Sequence, residues 1–408
     1  MKGFKYWLYQ SPAAKRYMLI GTGICILYFV LQKINHRDGM ADFRVYYDAA
    51  KAILNDTQLY GVAFGVSSGF YKYSPFAALP FVPFALLPYA IGSAFYFFLI
   101  AVILLLFTLL LTYQQERFGV NMKAKKSWVL LLSTLFLADH FERELHLGNV
   151  NLFLMIMAFA VYYLLKKSKY KSAGWLYGLT ILFKPHFLFL GFFMLWNKQW
   201  KSLLHSAIAV VFGLLIPCIW KGWKGNLTWL NQWLNAMQEH NIKLYESRNT
   251  VYGIASNFIL KPLGVQAGNG LIVIVLLLVI SSVIWLYIKN NREQKSQATT
   301  YVEFFVLLAL IPNLVHTDTE HFMWTLPLIV FIISILLIEP IKNKNMYLFL
   351  MIVAFIPYCL NSPDLVGKEI GILFDSSGLM GVANLIFVFL SVRLLKVRNI
   401  TSSLSKVE

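Results

Sequence analysis

The sequence predicts an all-α polytopic membrane protein, a helix bundle that crosses the bilayer about 11–13 times. Three observations predict it. Of 408 residues, 58% are hydrophobic and 13% charged, against roughly 25% charged in a soluble domain. The apolar residues fall in runs long enough to span lipid. The lysines and arginines gather between alternate runs, as the positive-inside rule requires. A formal charge of +17 is therefore a mark of topology. No basic stripe or recognition motif goes with it, so no nucleic-acid partner is expected; the bilayer is the partner that the composition demands. Cys25, Cys218 and Cys359 all lie in apolar runs without metal-ligand spacing, and they give no disulfide framework.

In chain order, basic Met1–Arg16 leads into an apolar run at Tyr17–Leu31. No small-residue cleavage site follows, so it reads as an uncleaved first span. Further spans are predicted at Ile91–Leu111, Leu203–Trp220, Leu271–Ile288 and Phe322–Ile338. Shorter ones are predicted at Ser127–Ala138, Val150–Leu165, Phe304–Val315, Met346–Leu360 and Ser376–Val392. Two stretches read as broken or re-entrant. Ser74–Pro88 carries Pro75, Pro80, Pro83 and Pro88, and Ser172–Trp196 is interrupted by Lys184-Pro185-His186. The whole, residues 1–408, reads as a single membrane domain with two large extracytoplasmic loops, residues 32–73 and 221–261. With the basic clusters inside, both termini are cytoplasmic. The acids and histidines then collect outside, while the inner loops are short and hold no phosphate-binding glycine loop. An enzyme built so would draw an activated substrate from the membrane.

From Asp42 to Leu54, residues Phe43, Tyr46, Tyr47, Ala50, Ile53 and Leu54 recur at helical spacing. That pattern predicts an amphipathic helix on the membrane surface. Asp42 in its first turn has two readings: a helix cap, or a general base that takes the proton of an attacking hydroxyl. Lys184, flanked by apolar residues, needs an anion, a carbonyl or a cavity to receive it. Lys72 reads as snorkelling or as a phosphate ligand. Glu142, Arg143, Glu144 and His146 read as a solvated face, although Arg143 has the fork to grip a phosphate. His316, Asp318, Glu320 and His321 have metal-ligand chemistry, yet a short charged outer loop of this kind is expected to face water. No cofactor or bound metal is expected. His205, alone in an apolar span, reads as packed. Trp223, Trp229 and Trp233 read as an interfacial belt.

The run DFRVYYDAAKAIL, then LYG, then FYKYSPFAALPFVPFALLP resembles the opening of glycosyltransferase family 87. Four later pieces follow in the family's order. Gly148-Asn149-Val150-Asn151 has Asn149 where glutamine is usual. Gly178 precedes Lys184-Pro185. Arg248-Asn249-Thr250-Val251-Tyr252-Gly253 has Thr250 where glutamine is usual. The last is His316–Pro327. The resemblance covers residues 38 to 330. It implies a GT-C-type fold and a polyprenyl-phosphate sugar donor, typically mannose. It also implies transfer with inversion to a hydroxyl of a glycolipid, glycan or other acceptor at the extracytoplasmic face of the cell membrane. Asp42 then matches the catalytic aspartate. Lys184 and His321 match positions near the donor phosphate or acceptor. Arg143, Arg248, Asn249, Tyr73, Lys72 and Asn149 are the further candidate substrate-binding residues. A lipid or solute transporter or flippase is one alternative, and a polysaccharide polymerase or ligase is another. No internal repeat favours the first, and the near-neutral outer face does not favour the second.

Overall fold

The computed structural model describes residues 2–65, 69–122, 124–240, 247–264, 296–315, 318–361 and 366–404, with isolated positions between 277 and 285. The expected span Leu271–Ile288, the cluster Lys289–Lys295 and His316 lie wholly or largely outside the described residues. Among the described residues the protein is helical throughout; an isolated bridge between Ala63 and Phe70 is the sole β-type pairing. The chain forms two compact units. One comprises Met1–Tyr17, Leu106–Phe141 and Lys243–Glu408. The other comprises Met18–Leu105 and Glu142–Ile242.

Five described helices are long and apolar enough to cross a membrane: Pro12–Ile34, Tyr89–Arg117, Gln297–Leu314, Thr319–Ile338 and Leu379–Arg398. Two bent pairs raise the count to seven. Shorter apolar helices lie at Pro75–Ala85, Lys126–Leu135, Pro185–Trp196, Val251–Leu260 and Lys344–Cys359. Lipid is the solvent that this surface requires. In Pro12–Ile34, Leu19 is 77% exposed and Leu27 59%, a surface no water-soluble protein leaves bare. The chain is a multi-pass membrane protein.

Bends of more than 40° fall at two places that were not among the stretches expected to be broken. Ala138–Leu147 meets Asn151–Lys166 at 114°, and Trp200–Leu215 meets Cys218–Glu239 at 91°. The first bend is made at Gly148, whose φ of 67° is a conformation that side chains resist. The second follows Pro217, and Gly222 (φ 66°) interrupts the helix beyond it. The two stretches expected to be broken are divided into short pieces. Pro75–Phe81 and Pro185–Leu190 are 3₁₀ segments, because proline supplies no N–H and crowds the preceding turn. The second expected loop is also more regular than its composition suggests, since Cys218–His240 is helical. Its tryptophans divide: Trp223 is exposed, Trp229 is buried beneath Lys221, and Trp233 donates to the Lys72 carbonyl at 3.2 Å.

In the unit that contains residues 18–105 and 142–242, Tyr170–Phe183 packs closely on Trp200–Leu215. Glycine permits the approach: a Cβ on Gly178 would stand 2.5 Å from the Ser206 carbonyl and 2.7 Å from Ala209 Cβ. In the other unit, buried amides join the helices. Asn384 donates to the Ala309 carbonyl and to Asn313 Oδ1, both at 2.7 Å, and accepts from Thr325 at 2.5 Å. Asn313 in turn donates to the Asn249 carbonyl at 2.8 Å. Interhelical amides of this kind replace the hydrophobic drive that lipid removes.

Candidate active site

The interfacial helix spans Ala41–Leu54. Its buried face is broader than the predicted stripe: Val45, Ala49 and Ala52 join Phe43, Tyr46, Tyr47, Ala50 and Ile53, whereas Leu54 is exposed. The face meets protein. Phe43 stacks on Tyr96 with ring centroids 4.4 Å apart and sets its edge on Phe84 at 5.8 Å, and Tyr46 lies 4.8 Å from Phe81. The proline-rich segment, kept compact by its 3₁₀ turn, thus gives the helix an aromatic bed. Met40, in a left-handed conformation, occupies the cap position and makes no side-chain cap bond. Asp42 stands two residues further on. Its Oδ2 accepts a hydrogen bond from Asn149 Nδ2 at 2.5 Å.

Asn149 is where the network branches. Its Oδ1 accepts from the Tyr46 hydroxyl at 3.3 Å and from the Val150 N–H at 2.7 Å, so the amide can present only its Nδ2 to Asp42. The Tyr46 hydroxyl lies 3.0 Å from that of Tyr73. Tyr46 is buried, and desolvation first, then the neighbouring Tyr73 and Asp42, push its phenol well above the usual tyrosine range. It stays a neutral hydrogen-bond donor at any physiological pH. Lys184 Nζ lies 5.8 Å from the Tyr73 ring centroid, within cation–π range, and donates to Asn151 Oδ1 at 2.7 Å.

Local sequence explains how Lys184 is aimed. The residue before a proline is driven out of the helical region, and Lys184, before Pro185, has φ −136° and ψ 109°. The helix Tyr170–Phe183 ends there, and the lysine turns away from it. Carbonyls left over at this break find other donors: Ser74 Oγ bonds the Leu182 carbonyl at 2.6 Å, and the Tyr177 hydroxyl bonds those of Phe187 and Leu188, each at 3.1 Å. That sheltering is what irregular backbone needs at membrane depth.

One unit therefore brings together Asp42, Asn149, Tyr73 and Lys184. Lys72 and Arg143 belong to the same unit and are half-buried. The solvated-face reading of Glu142, Arg143, Glu144 and His146 fails for Glu144, which is fully buried; the other three are half-buried, and Glu142 accepts a hydrogen bond from Tyr28. The cause is the 114° bend, which turns this face against neighbouring helices. His205 is half-buried and caps back onto the Lys201 carbonyl at 2.7 Å.

The remaining candidates belong to the other unit. Arg248 is exposed, and Asn249 is buried with its Oδ1 accepting from the Gly381 N–H at 3.0 Å. Thr250, one of the two departures from the family pattern, caps the Val251–Ala255 helix by accepting from the Gly253 N–H at 3.1 Å, a role open to threonine and closed to glutamine. His321 and Glu320 are 6% and 1% exposed, so the expectation that this run faces water fails for both. They sit in the 3₁₀ segment Thr319–Thr325, which precedes the apolar helix Leu326–Ile338 and is buried along most of its length. Nδ1 of His321 donates to the Asp318 carbonyl at 3.2 Å. Side-chain ligand atoms of Asp318, Glu320 and His321 lie within 4.8 Å of one another, with Asp318 exposed.

The class defined here is a polytopic membrane protein, helical among the described residues, with a carboxylate on a helix bedded on aromatic side chains and a buried lysine in the same unit. Residues 70–312, more than half of the chain, match the family model of Glycosyltransferase family 87, and the chain belongs to that family. Asp42 and His321 lie outside the matched residues. The chain is also similar to an alpha-(1->3)-arabinofuranosyltransferase of Corynebacterium glutamicum, with 27% identity over 178 residues, 44% of this chain and 40% of that relative. The chain thus aligns with well under half of that relative's length. No solved structure matches the chain.

Proposed function

We propose that the protein transfers a sugar from a polyprenyl-phosphate donor to an acceptor hydroxyl at the extracytoplasmic face of the cell membrane, with inversion. The observation that carries this reading is the Asp42 carboxylate. It is fixed by Asn149 on a helix whose position is set by packing, in the same unit as a buried lysine. Asp42 takes the proton of the acceptor hydroxyl as that oxygen attacks the anomeric carbon. The bond from that carbon to the phosphate oxygen breaks, and its electron pair leaves with the polyprenyl phosphate. Asp42 then returns its proton to water. Lys184 meets the charge that develops on the leaving phosphate; Arg143, in the same unit, is a further candidate for that role. Tyr73 and Lys72 are further candidate substrate-binding residues, and Asn149 holds the base. The step needs no cofactor.

Mannose is the sugar of this reading, taken from the family resemblance. The arabinofuranosyl activity of the relative gives the second reading, an arabinofuranosyl donor. Purified protein in detergent, given each polyprenyl-phosphate sugar and a glycolipid acceptor, should form a glycosidic product from one of them without any membrane gradient. The anomeric configuration of the product, read by NMR, should be opposite to that of the donor. No transfer from either donor, or transfer from a nucleotide sugar instead, would overturn the proposal.

A further inference from the structure

We propose that Glu144 is a positioning residue for phosphate recognition, acting through Asn151 on Lys184. This rests on reading Lys184 as the partner of the donor phosphate. Glu144 and Asn151 are fully buried, and Lys184 is 6% exposed. Glu144 Oε1 accepts from the Leu152 N–H at 2.7 Å, and Oε2 accepts from Asn151 Nδ2 at 3.3 Å. Asn151 Oδ1 accepts from Lys184 Nζ at 2.7 Å. The three side chains thus form a directed chain from carboxylate to amide to ammonium.

Direction is the point. A primary amide has one end that accepts and one that donates. Glu144 takes the donating end of Asn151, so the accepting end faces the lysine. A flipped amide would aim an N–H at the ammonium. Glu144 reaches this place because its helix, Ala138–Leu147, bends at Gly148 into Asn151–Lys166, which brings the carboxylate onto the first turn of the following helix. Val150, at the cap position of that helix, makes no side-chain cap bond.

Two donors converge on Glu144, so a carboxylate satisfies both and an amide only one. Glu144→Gln keeps the size and can still accept from Leu152. Its amide nitrogen then opposes Asn151 Nδ2, and the asparagine can relieve the clash only by turning its N–H groups on Lys184. If Glu144 were a helix cap alone, the glutamine would serve and phosphate recognition would be unchanged. The exchanged pair, Glu144→Gln with Asn151→Asp, restores every match: glutamine accepts from Leu152 and donates to the new carboxylate, whose second oxygen receives the lysine. Net charge is also restored.

The test is the affinity of purified, monodisperse protein for undecaprenyl phosphate, read by tryptophan fluorescence, in wild type, Lys184→Ala, Glu144→Gln, Asn151→Asp and the exchanged pair. Glu144→Gln should weaken binding about tenfold or more. The exchanged pair should bind at least tenfold tighter than either single variant, a non-additivity that a merely structural role does not produce. If Glu144→Gln does not fold, the exchanged pair carries the test alone, and folding with near wild-type affinity supports the proposal. Wild-type affinity in Glu144→Gln, or an exchanged pair no better than the single variants, overturns it. Wild type that ignores undecaprenyl phosphate, or binds it equally well without Lys184, overturns the phosphate reading itself, and the role of Glu144 with it.

Discussion

An acceptor hydroxyl gives up its proton only far above neutral pH, so it attacks well only if a base takes that proton during transfer. Asp42→Asn keeps the size of the side chain and an oxygen for Asn149 Nδ2, but it removes the basicity. Turnover at saturating donor and acceptor should fall about 10²–10⁴-fold, with folding intact. Near-normal turnover would leave the enzyme without its assigned base. Asp38→Asn is the control for lost charge nearby. Asp38 pairs with Lys33, whose ammonium is the main cause holding the carboxyl below the usual aspartate range. A carboxyl lowered in the folded state stabilises above the ordinary aspartate pKa, and that stability is lost as pH falls through the lowered value. Both groups are well exposed to water, so the pair is worth under about 1 kcal/mol. Asp38→Asn should therefore change turnover less than about threefold, a small effect by the same measure. Lys184→Ala should raise the donor KM; Lys184→Arg should restore it only in part, because a planar fork does not fit where an ammonium sat. An unchanged donor KM in folded Lys184→Ala would make the lysine structural.

At the scale of elements, the bend at Gly148 holds the site together. It lets Asn149 reach Asp42 and Glu144 reach Asn151. A Cβ at Gly148 would stand 2.7 Å from both Met40 Cε and Phe43 Cβ, and its φ of 67° is itself unfavourable for a side chain. Gly148→Val should push the interfacial helix off its bed, losing turnover by at least tenfold and destabilising the protein by about 1–3 kcal/mol. A thermal scan and a turnover assay on the same preparation check both effects, and wild-type values in both would show that the bend tolerates a side chain. Much of this was legible beforehand. Tyrosine and phenylalanine spacing marked the interfacial helix, prolines marked the broken segments, and a lysine among apolar residues marked itself. Glu144 was not legible. Among Glu142, Arg143, Glu144 and His146, polar residues are dense enough to read as a solvated face, and the fold buries Glu144 completely. The apolar stripe was likewise too narrow a guide, because a helix in an aromatic bed buries alanines that a helix on lipid leaves at its flank.

For the whole chain, charge is the clue to orientation. Moving a basic loop across a bilayer is unfavourable, and so Lys/Arg-rich loops remain on the side where they were made. Residues 166–171 hold Lys166, Lys167, Lys169 and Lys171 with no acid, whereas residues 55–61 hold one acid and no base. Both turns belong to the same unit, and Thr57 and Ser168 are exposed in them, so a thiol at either position is free to react. In a background without Cys25, Cys218 and Cys359, Thr57→Cys should label with an impermeant maleimide on intact cells. Ser168→Cys should label only after permeabilisation. Asp42 lies on the helix that ends at Leu54, one turn of chain before Thr57, so the same result reports the face on which the proposed base works. The reverse pattern would put Asp42 in the cytoplasm. The donor would then have to present its sugar inward, and a nucleotide sugar would become the simpler substrate.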